Sequence, residues 1–479
     1  MCLFTIIRII LQDNKIKIME RYRNRMKDKL QIKLTTTQII MLSFVLGILL
    51  GSILLALPIS SASGKPIAYI DALFTATTSV CVTGLVTVPT VSTWSTFGHI
   101  VILILIQIGG LGIITVISGF LIILNQRIGI GERILIQDAF NLNTMSGMVK
   151  FIKKVLIGTV LVEGIGAFFY LFVFIPEFGI SRGIWISVFN SVSAFCNAGI
   201  DIIAEDSLCR YVSNPLINIV TGFLIIVGGI GYIVWWDFIQ VLKNFRIHKW
   251  RCFTRLSLHS KIAVSITSLL IIVGTVCILI FEYNNPLTIG NFTLVDKIQA
   301  SFFQSITTRT AGFLTIPQEN FTNSSALISL ILMFIGGSPV GTAGGIKTVT
   351  IAVLFLSAWA TIKNKDEVDI YNRRIGEEAI RKSVAVAAAS FAIMFLSTIF
   401  LSAVTKADFL DILYETVSAT ATVGLTRSLT STLNVLGKII IILTMYLGRV
   451  GPISLLLAFN TKRGNKNIVK NPKEDISVG

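Results

Sequence analysis

The stretch DALFTATTSVCVTGL at residues 71–85 occurs in related form four times along the chain. The other copies read ISVFNSVSAFCNAGI (186–200), QASFFQSITTRTAGF (299–313) and DILYETVSATATVGL (411–425). Each copy has an aromatic residue ten positions before a shared glycine, and the glycines are 115, 113 and 112 residues apart. This spacing predicts four copies of one structural unit. The glycines are Gly84, Gly199, Gly312 and Gly424, and the aromatic residues are Phe74, Phe189, Phe302 and Tyr414.

Long apolar segments flank the four copies, at about 37–58, 98–125, 153–176, 215–242, 261–281, 325–361, 383–404 and 433–460. A membrane-spanning helix needs about 20 mostly apolar residues, and these segments lack the alternation of barrel strands. Over all 479 residues, 53% are hydrophobic and 14% are charged, which excludes a water-soluble domain and a disordered chain. We therefore expect an all-α integral membrane protein with eight transmembrane helices.

Basic residues indicate the orientation of the chain. The segments 1–33, 126–154, 243–261, 362–382 and 461–479 hold 31 of the 41 lysines and arginines but only 12 of the 25 acidic residues. With eight spans these segments all lie on one side, and basic loops stay cytoplasmic, so both termini are expected inside the cell. The rest of the chain has three more acidic than basic residues, which suits a cation path. The basic segments could also bind anionic lipid.

The expected organisation follows from the spans and the copies. The predicted segments are a basic cytoplasmic N-terminal segment (1–36), repeat 1 (37–125), a cytoplasmic linker (126–152), repeat 2 (153–242), a basic linker (243–260), repeat 3 with a broken second helix (261–361), a linker (362–382), repeat 4 (383–460) and a cytoplasmic tail (461–479). Each repeat is a span, a short pore loop and a second span (M1–P–M2). The four repeats are therefore parallel, and we expect them around a pseudo-fourfold axis.

The shared glycines predict a selectivity filter for a cation. A cation that enters a membrane exchanges its water for fixed oxygens, and rings of backbone carbonyls can supply them. Glycine adopts the positive φ that turns a carbonyl inward, and the C-terminal end of a preceding half-helix favours a cation. The alternative, glycines that only loosen re-entrant loops or allow helix packing, explains the polar neighbours less well. The predicted filter residues are Val82, Thr83, Gly84, Asn197, Ala198, Gly199, Thr310, Ala311, Gly312, Thr422, Val423 and Gly424.

Together with QIGGLGI (107–113), GGSPVGTAGGIKT (336–348) and GRVGP (448–452), the four stretches resemble the Trk/Ktr/HKT superfamily of potassium transporters over about residues 37–460. The chain is most similar to the Ktr-type membrane subunit, because only a basic segment precedes the first repeat. The resemblance implies K⁺ as the transported ion at the filter residues and no covalently bound cofactor. It also implies a homodimer with one pore per protomer and a cytoplasmic ring of nucleotide-binding regulatory subunits. Membrane lipid is an expected partner and nucleic acid is not.

Five glycines and a proline interrupt the sixth apolar segment, and such residues weaken a helix. The matching loop of the superfamily is a gate beneath the filter, whereas the alternative here is a helix-packing face. By the same resemblance, Arg449 lies near this loop, where it would repel cations or donate hydrogen bonds to loop carbonyls. Lys347 is either part of the gate or extends to the cytoplasmic surface. The predicted gate residues are Gly336, Gly337, Ser338, Pro339, Gly341, Thr342, Gly344, Gly345, Lys347 and Arg449.

Three further charged residues have open roles. Glu163 lies in the third span, where a carboxylate is a functional candidate by default, although a polar network or an ion pair with Arg309 is the alternative. Arg309 is common to the third loop of the superfamily and is expected to be a structural brace. Arg427 is expected at the outer mouth, where it would oppose cation entry unless paired with an acid such as Asp201, Glu205 or Asp206.

We expect K⁺ uptake across the cytoplasmic membrane through a gated filter, driven by the electrochemical gradient. The alternatives are a less selective K⁺/Na⁺ pathway, a cation symporter, or a non-conducting scaffold for a cytoplasmic ring. The sequence contains no nucleophile–base constellation, metal cluster or phosphate loop, so an enzyme is not expected.

Overall fold

The computed structural model describes residues 35–124, 129–140, 147–243 and 252–451. The predicted tail (461–479) and most of the N-terminal segment (1–36) lie outside the described residues, as do parts of the linkers 126–152 and 243–260. The helices are α1 (Thr36–Ala56), α2 (Tyr69–Cys81), α3 (Thr96–Leu111), α4 (Ile113–Ile123), α5 (Ile130–Phe140), α6 (Met148–Phe178), α7 (Ile180–Cys196), α8 (Pro215–Gly229), α9 (Tyr232–Lys243), α10 (Leu258–Glu282), α11 (Leu294–Thr307), α12 (Asn323–Phe334), α13 (Thr348–Ile362), α14 (Glu377–Val404), α15 (Phe409–Ala421) and α16 (Val435–Val450). Two short antiparallel strands, β1 (Asp369–Ile370) and β2 (Arg373–Arg374), and several single-turn helices complete the fold.

Four helices are long and apolar enough to cross a membrane by themselves, namely α1, α6, α10 and α14. Large apolar side chains on these helices are exposed, among them Leu46, Phe168 and Phe400. Lipid covers such surfaces in a membrane protein. Two bent pairs, α3 with α4 and α8 with α9, raise the number of spans in the described residues to as many as six. The eight-helix count remains a prediction.

Two of the expected continuous spans are sharply bent. The segment predicted at 98–125 turns by 95° between α3 and α4, and the segment at 215–242 turns by 101° between α8 and α9. The turns lie at Gly112 (φ 84°) and Gly231 (φ 93°), and α16 ends at Gly451 (φ 89°). This left-handed backbone conformation favours glycine. The second helices of repeats 1 and 2 therefore break at a glycine, whereas the sequence predicts such a break only in repeat 3, and α16 ends at a glycine with the same backbone conformation.

Each long helix packs against the short helix that follows it: α1 against α2, α6 against α7, α10 against α11, and α14 against α15. The short helices bury an aromatic side chain at corresponding positions: Phe74, Phe189, Phe303 and Tyr414. Phe302, which the sequence analysis assigned to this position, is 44% exposed, so that assignment is wrong. The third copy is one residue shorter between its aromatic side chain and its glycine. The packing of α11 is therefore the same as that of the other short helices, and the missing residue is accommodated in the loop between α11 and Gly312.

Candidate functional site

The four short helices end in loops with the same backbone conformation. Two residues before each shared glycine, a non-glycine residue adopts the left-handed conformation, with φ between 51° and 67°. The glycines also have positive φ, between 62° and 98°. A non-glycine residue with positive φ is uncommon, so its occurrence at one position in all four copies shows that one loop geometry is built four times. These non-glycine residues are Val82, Asn197, Thr310 and Thr422.

The four loops close into a ring in the order of the sequence. A Cβ atom on each shared glycine would lie 2.3–2.5 Å from the carbonyl oxygen that precedes the glycine of the next repeat. The facing pairs are Gly84 with Ala198, Gly199 with Ala311, Gly312 with Val423, and Gly424 with Thr83. Only glycine fits such an approach. We call residues 82–84, 197–199, 310–312 and 422–424 the central ring, and it contains every residue of the predicted filter.

The central ring is rich in oxygen atoms without protein partners. None of its twelve backbone carbonyls accepts a hydrogen bond from the described part of the chain. Four buried side-chain atoms of the ring also have no partner there: Thr83 Oγ1, Asn197 Nδ2, Thr310 Oγ1 and Thr422 Oγ1. Buried carbonyls are normally hydrogen-bonded, and the C-terminal ends of four helices bring partial negative charge to the ring. The arrangement can therefore hold a cation or ordered water.

Side-chain hydroxyls fix the ring loops from behind. Thr78 Oγ1 accepts a hydrogen bond from the Gly84 N–H at 2.9 Å, and Ser418 Oγ accepts one from the Gly424 N–H at 3.1 Å. Ser193 Oγ accepts from the Ile200 N–H at 3.1 Å. These three residues were not among the predicted site residues, although a Ser or Thr stands six positions before the glycine in three of the four copies.

In the third copy Thr307 takes this place, five residues before Gly312. Its hydroxyl donates to the Phe313 carbonyl at 2.8 Å, and its own carbonyl accepts from the Gly312 N–H at 3.3 Å. The third loop is therefore fixed by different bonds from the other three. The one-residue difference in length explains the change.

The glycine-rich segment between α12 and α13 lies against the ring. We call residues 335–347 the inner loop. Thr342 Oγ1 donates to the Phe195 carbonyl at 3.0 Å and is 3.2 Å from Asn197 Oδ1. A Cβ atom on Gly344 would lie 1.9 Å from Thr422 Oγ1. The inner loop therefore touches the ring at its second and fourth copies.

The inner loop is also bound to the bend between α8 and α9. The N–H groups of Ser338 and Thr342 donate to the carbonyls of Gly229 and Gly228, at 2.8 and 3.1 Å. The Tyr232 N–H donates to the Val340 carbonyl at 2.9 Å. A change in this bend would therefore move the loop.

Three basic side chains hold backbone carbonyls at the inner loop. Arg449 Nη1 donates to the Thr342 carbonyl and Arg449 Nη2 to the Gly109 carbonyl, both at 2.6 Å. Arg309 Nη2 donates to the Gly336 carbonyl at 3.1 Å, and Lys347 Nζ donates to the Ala343 carbonyl at 2.6 Å. Arg449 thus joins the inner loop to repeat 1, and Lys347 bonds within the loop.

Paired small residues let the second helices approach the ring. A Cβ atom on Gly109, Gly228 or Gly448 would lie 2.0–2.2 Å from a carbonyl oxygen near the end of the short helix of the same repeat. The next residue is a glycine in repeats 1 and 2, Gly110 and Gly229, and Arg449 in repeat 4. One cation therefore occupies a position that glycine holds elsewhere, and it breaks the fourfold symmetry at the inner loop.

The expected partners of Arg427 are corrected by the structure. Arg427 pairs with Asp411, with Nε 2.7 Å from Oδ1, and not with the acids of the second repeat. Two of those acids have other partners: Glu205 accepts from Ser92 of repeat 1, and Asp206 pairs with Arg210 of its own loop. Asp411 lies in the first turn of α15, 16 residues before Arg427, and sequence spacing alone does not show that the helix and the loop bring these two residues together.

A second corrected pair concerns Glu163. Its Oε2 accepts a hydrogen bond from Gln107 Nε2 at 3.2 Å, whereas Arg309 bonds to the inner loop. Glu163 Oε1 is buried and has no partner in the described residues. The polar-network alternative therefore describes Glu163, and the ion pair with Arg309 is wrong.

Asp201 lies just outside the ring, two residues after Gly199. Its Oδ1 accepts a hydrogen bond from the Ile203 N–H at 3.3 Å. Burial raises the pKa of Asp201 to about 6, against hydrogen bonds that lower it.

In the described part of the chain, no group of three or more His, Cys, Asp or Glu side chains could hold a metal ion. The backbone carbonyls of the central ring are the kind of oxygen ligand that suits a hard cation.

Apolar helices around a central ring of unshared carbonyls define a helical membrane transport protein. Comparison with known proteins gives the family: the profile described as "TrkH: Cation transport protein" matches residues 5–470. The chain belongs to this family. It is 39% identical to the Ktr system potassium uptake protein B of Bacillus subtilis, over 95% of this chain and 99% of the relative. It is 38% identical to the potassium/sodium uptake protein NtpJ of Enterococcus hirae, with the same two coverages.

A solved structure shares the fold. The potassium transporter TrkH of Vibrio parahaemolyticus superposes with a TM-score of 0.71 at 16% sequence identity, over 90% of this chain and 86% of that one. The chain is therefore a multi-pass membrane protein of the Ktr/Trk type, as the resemblance implied.

Proposed function

We propose that this chain transports K⁺ across the cytoplasmic membrane and that the central ring is its selectivity filter. The observation that supports this most directly is the closure of the ring, in which each shared glycine faces a carbonyl oxygen of the next repeat. The unshared carbonyls can replace the water around a dehydrated cation. The name of the Bacillus subtilis relative, a potassium uptake protein, supports potassium as the ion.

The inner loop is the proposed gate. It touches the ring through Thr342 and Gly344, and Arg449 bonds it to repeat 1. A loop held by a few hydrogen bonds can move without unfolding a helix, so a small change in the packing of the units would open or close the path.

The finer features of the protein are also proposals. We propose four M1–P–M2 repeats with eight spans, both termini in the cytoplasm, and a homodimer that works with a cytoplasmic ring of nucleotide-binding subunits. The four long helices and the four similar loops support the repeats. The resemblance to the Ktr-type subunit supports the partners.

A less selective K⁺/Na⁺ pathway is the second candidate function. One relative at 38% identity is named a potassium/sodium uptake protein. Each loop of this chain also has a single shared glycine, and fewer ordered carbonyl rings discriminate less well. Inhibition of Rb⁺ influx by Na⁺ separates the two candidates.

Growth on limiting K⁺ tests the proposal in a bacterium that lacks its own uptake systems. Wild type, Gly312→Ser and Gly164→Ser would be expressed with and without a cognate cytoplasmic ring subunit, and membrane insertion would be verified for each. Gly164 is an exposed glycine on α6, and a Cβ atom added there would meet no atom within 4 Å, so it is the matched control. We expect rescue by wild type and Gly164→Ser but not by Gly312→Ser. Equal rescue by all three would refute the filter, and no rescue by any inserted protein would refute K⁺ uptake.

A further inference from the structure

A buried cluster of polar side chains joins the third and fourth repeats behind the central ring. Gln318 lies six residues after Gly312 and is 1% exposed, and Gln304, on α11, is fully buried. The two amides bond to each other: Gln304 Nε2 donates to Gln318 Oε1 at 2.8 Å, and Gln318 Nε2 donates to Gln304 Oε1 at 3.2 Å. The loop after the third ring segment is therefore tied to the short helix before it.

The same glutamine is bound by the fourth repeat. Tyr414 OH, on α15, donates to Gln318 Oε1 at 2.8 Å, and Arg427 Nη1 donates to the Gln318 carbonyl at 3.1 Å. Gln318 Nε2 also donates to the Ile316 carbonyl at 2.7 Å. Both polar atoms of the Gln318 side chain, Oε1 and Nε2, are thus hydrogen-bonded while the residue is buried. We call Gln304, Gln318, Tyr414 and Arg427 the 3–4 clasp.

The other junctions between neighbouring repeats are built differently in the described residues. Repeats 1 and 2 are joined on the outer side by an exposed hydrogen bond from Ser92 to Glu205. Repeats 4 and 1 are joined by the ion pair of Lys438 with Asp71. Repeats 2 and 3 are joined by the backbone hydrogen bond from the Leu208 N–H to the Leu314 carbonyl and by the Thr342 hydroxyl, which bonds to Asn197 Oδ1. Side chains also meet at the junction of repeats 1 and 2, but the Gln107–Glu163 hydrogen bond leaves Glu163 Oε1 without a partner in the described residues. The 3–4 clasp differs in that every polar atom of the Gln318 side chain is hydrogen-bonded.

The clasp fixes chain segments on both sides of two ring glycines. Gln304 precedes Gly312 by eight residues and Gln318 follows it by six, while Tyr414 precedes Gly424 by ten residues and Arg427 follows it by three. Gly312 in turn faces the Val423 carbonyl within the ring. A shift of Gln318 relative to Tyr414 would therefore change the spacing between these two ring segments. Fully satisfied buried networks are rigid.

From this geometry we infer that Gln318 is a positioning residue for ion selectivity. The 3–4 clasp holds the carbonyls of ring segments 310–312 and 422–424 at the spacing that a larger alkali cation requires. The inference rests on the proposed function of the ring as a filter. The clasp touches no ion itself. Its loss would leave the pore open and widen the tolerance of the ring toward Na⁺.

The experiment measures influx of radioactive Rb⁺ and its inhibition by Na⁺ in proteoliposomes that contain the full chain. The variants are Tyr414→Phe, which removes one hydroxyl, and Gln318→Met, which removes the whole amide. Tyr170→Phe is the matched control: Tyr170 is as buried as Tyr414, but its hydroxyl bonds to Thr221 on α8, outside the ring loops. A buried hydrogen bond contributes about 1 kcal/mol, so each lost bond corresponds to roughly fivefold.

We expect the preference for Rb⁺ over Na⁺ to fall about fivefold in Tyr414→Phe and more in Gln318→Met, with maximal Rb⁺ influx retained. Tyr170→Phe should keep the wild-type preference. If Gln318→Met does not insert, Tyr414→Phe decides the question alone. An unchanged preference in Tyr414→Phe, with wild-type Rb⁺ influx, would overturn the inference while the filter stands. Absence of Rb⁺ influx in wild type would instead refute the proposed function.

Discussion

Replacement of Gly312 by alanine is the sharpest perturbation of the central ring. The new Cβ atom would lie 2.4 Å from the Val423 carbonyl oxygen, at a backbone φ of +84°. Real Cβ atoms essentially never lie closer than 3.0 Å to another heavy atom. The new Cβ atom and the Val423 oxygen must therefore move apart by about 0.6 Å to reach that distance. The Cα atoms of Gly424 and Gly199 also lie within 3.3 Å of the new atom, so the strain reaches both neighbouring repeats, the fourth and the second.

The cost of this change can be estimated from two terms. A side chain in the left-handed region costs about 1–2 kcal/mol, and overpacking of a tight site costs about 1–3 kcal/mol. The sum of about 2–5 kcal/mol is the penalty for keeping the wild-type ring. Since 1.4 kcal/mol corresponds to tenfold, the ion-competent ring would be populated roughly 30-fold to several thousand-fold less. The three atoms nearest to the new Cβ all belong to the ring segments, so membrane insertion should be retained.

The assay is initial-rate Rb⁺ influx into proteoliposomes at equal amounts of inserted protein. Gly312→Ala should lose at least about 30-fold in influx, or lose its preference for Rb⁺ over Na⁺ if the ring relaxes by widening. Gly164→Ala is the control, because its Cβ would meet no atom within 4 Å and alanine favours the helix. Wild-type influx and preference in Gly312→Ala would show that the ring does not contact the ion.

Further outcomes follow for other residues. Arg449→Gln should raise Rb⁺ influx at least about tenfold in the absence of a regulatory subunit, because the inner loop loses two charge-assisted hydrogen bonds that hold it in place. Lower influx would contradict the proposal that the inner loop is a gate. Lys438→Met should lower the free energy of unfolding in detergent by about 3 kcal/mol, because Asp71 loses its cation. The double variant with Asp71→Asn should recover most of this loss, and thermal unfolding measures both variants. Burial raises the pKa of Asp201 to about 6, above its unfolded value, so its contribution to stability is largest at low pH and is lost as pH rises through 6. The hydrogen-exchange protection factors of residues 201–208, which correct for the base catalysis of exchange, should be higher at pH 5 than at pH 7.5, and Asp201→Asn should remove the difference. Glu163→Gln should leave insertion and influx within about twofold of wild type, because the carboxyl accepts one hydrogen bond from a neutral side chain.

The recurrence of a glycine at constant spacing was enough to predict that four chain segments meet. The spacing works because each glycine is required by contact with the next repeat, so no copy can lose it alone. The Gly-rich run at 336–348 predicted a break in the second helix of repeat 3 for a local reason, the weakness of glycine and proline in helices. Both predictions depend on short stretches of sequence, where local rules apply.

Features that depend on distant partners could not be read in the same way. Nothing near Arg427 in sequence shows that Gln318, more than 100 residues earlier, accepts its hydrogen bond. The bends at Gly112 and Gly231 lie within runs that are apolar enough to pass for continuous spans. The assignment of Phe302 failed because the glycines were aligned without a gap, and only burial shows that the third copy is one residue shorter.

The most direct test of the filter is to locate the ion. Crystals of the full chain grown with Tl⁺ or Rb⁺ in place of K⁺ would be measured at an absorption edge of the substituted ion. We predict an anomalous peak on the axis of the central ring, surrounded by the carbonyl oxygens of Thr83, Ala198, Ala311 and Val423. A ring without a peak, in a protein that transports Rb⁺ after reconstitution, would contradict the account.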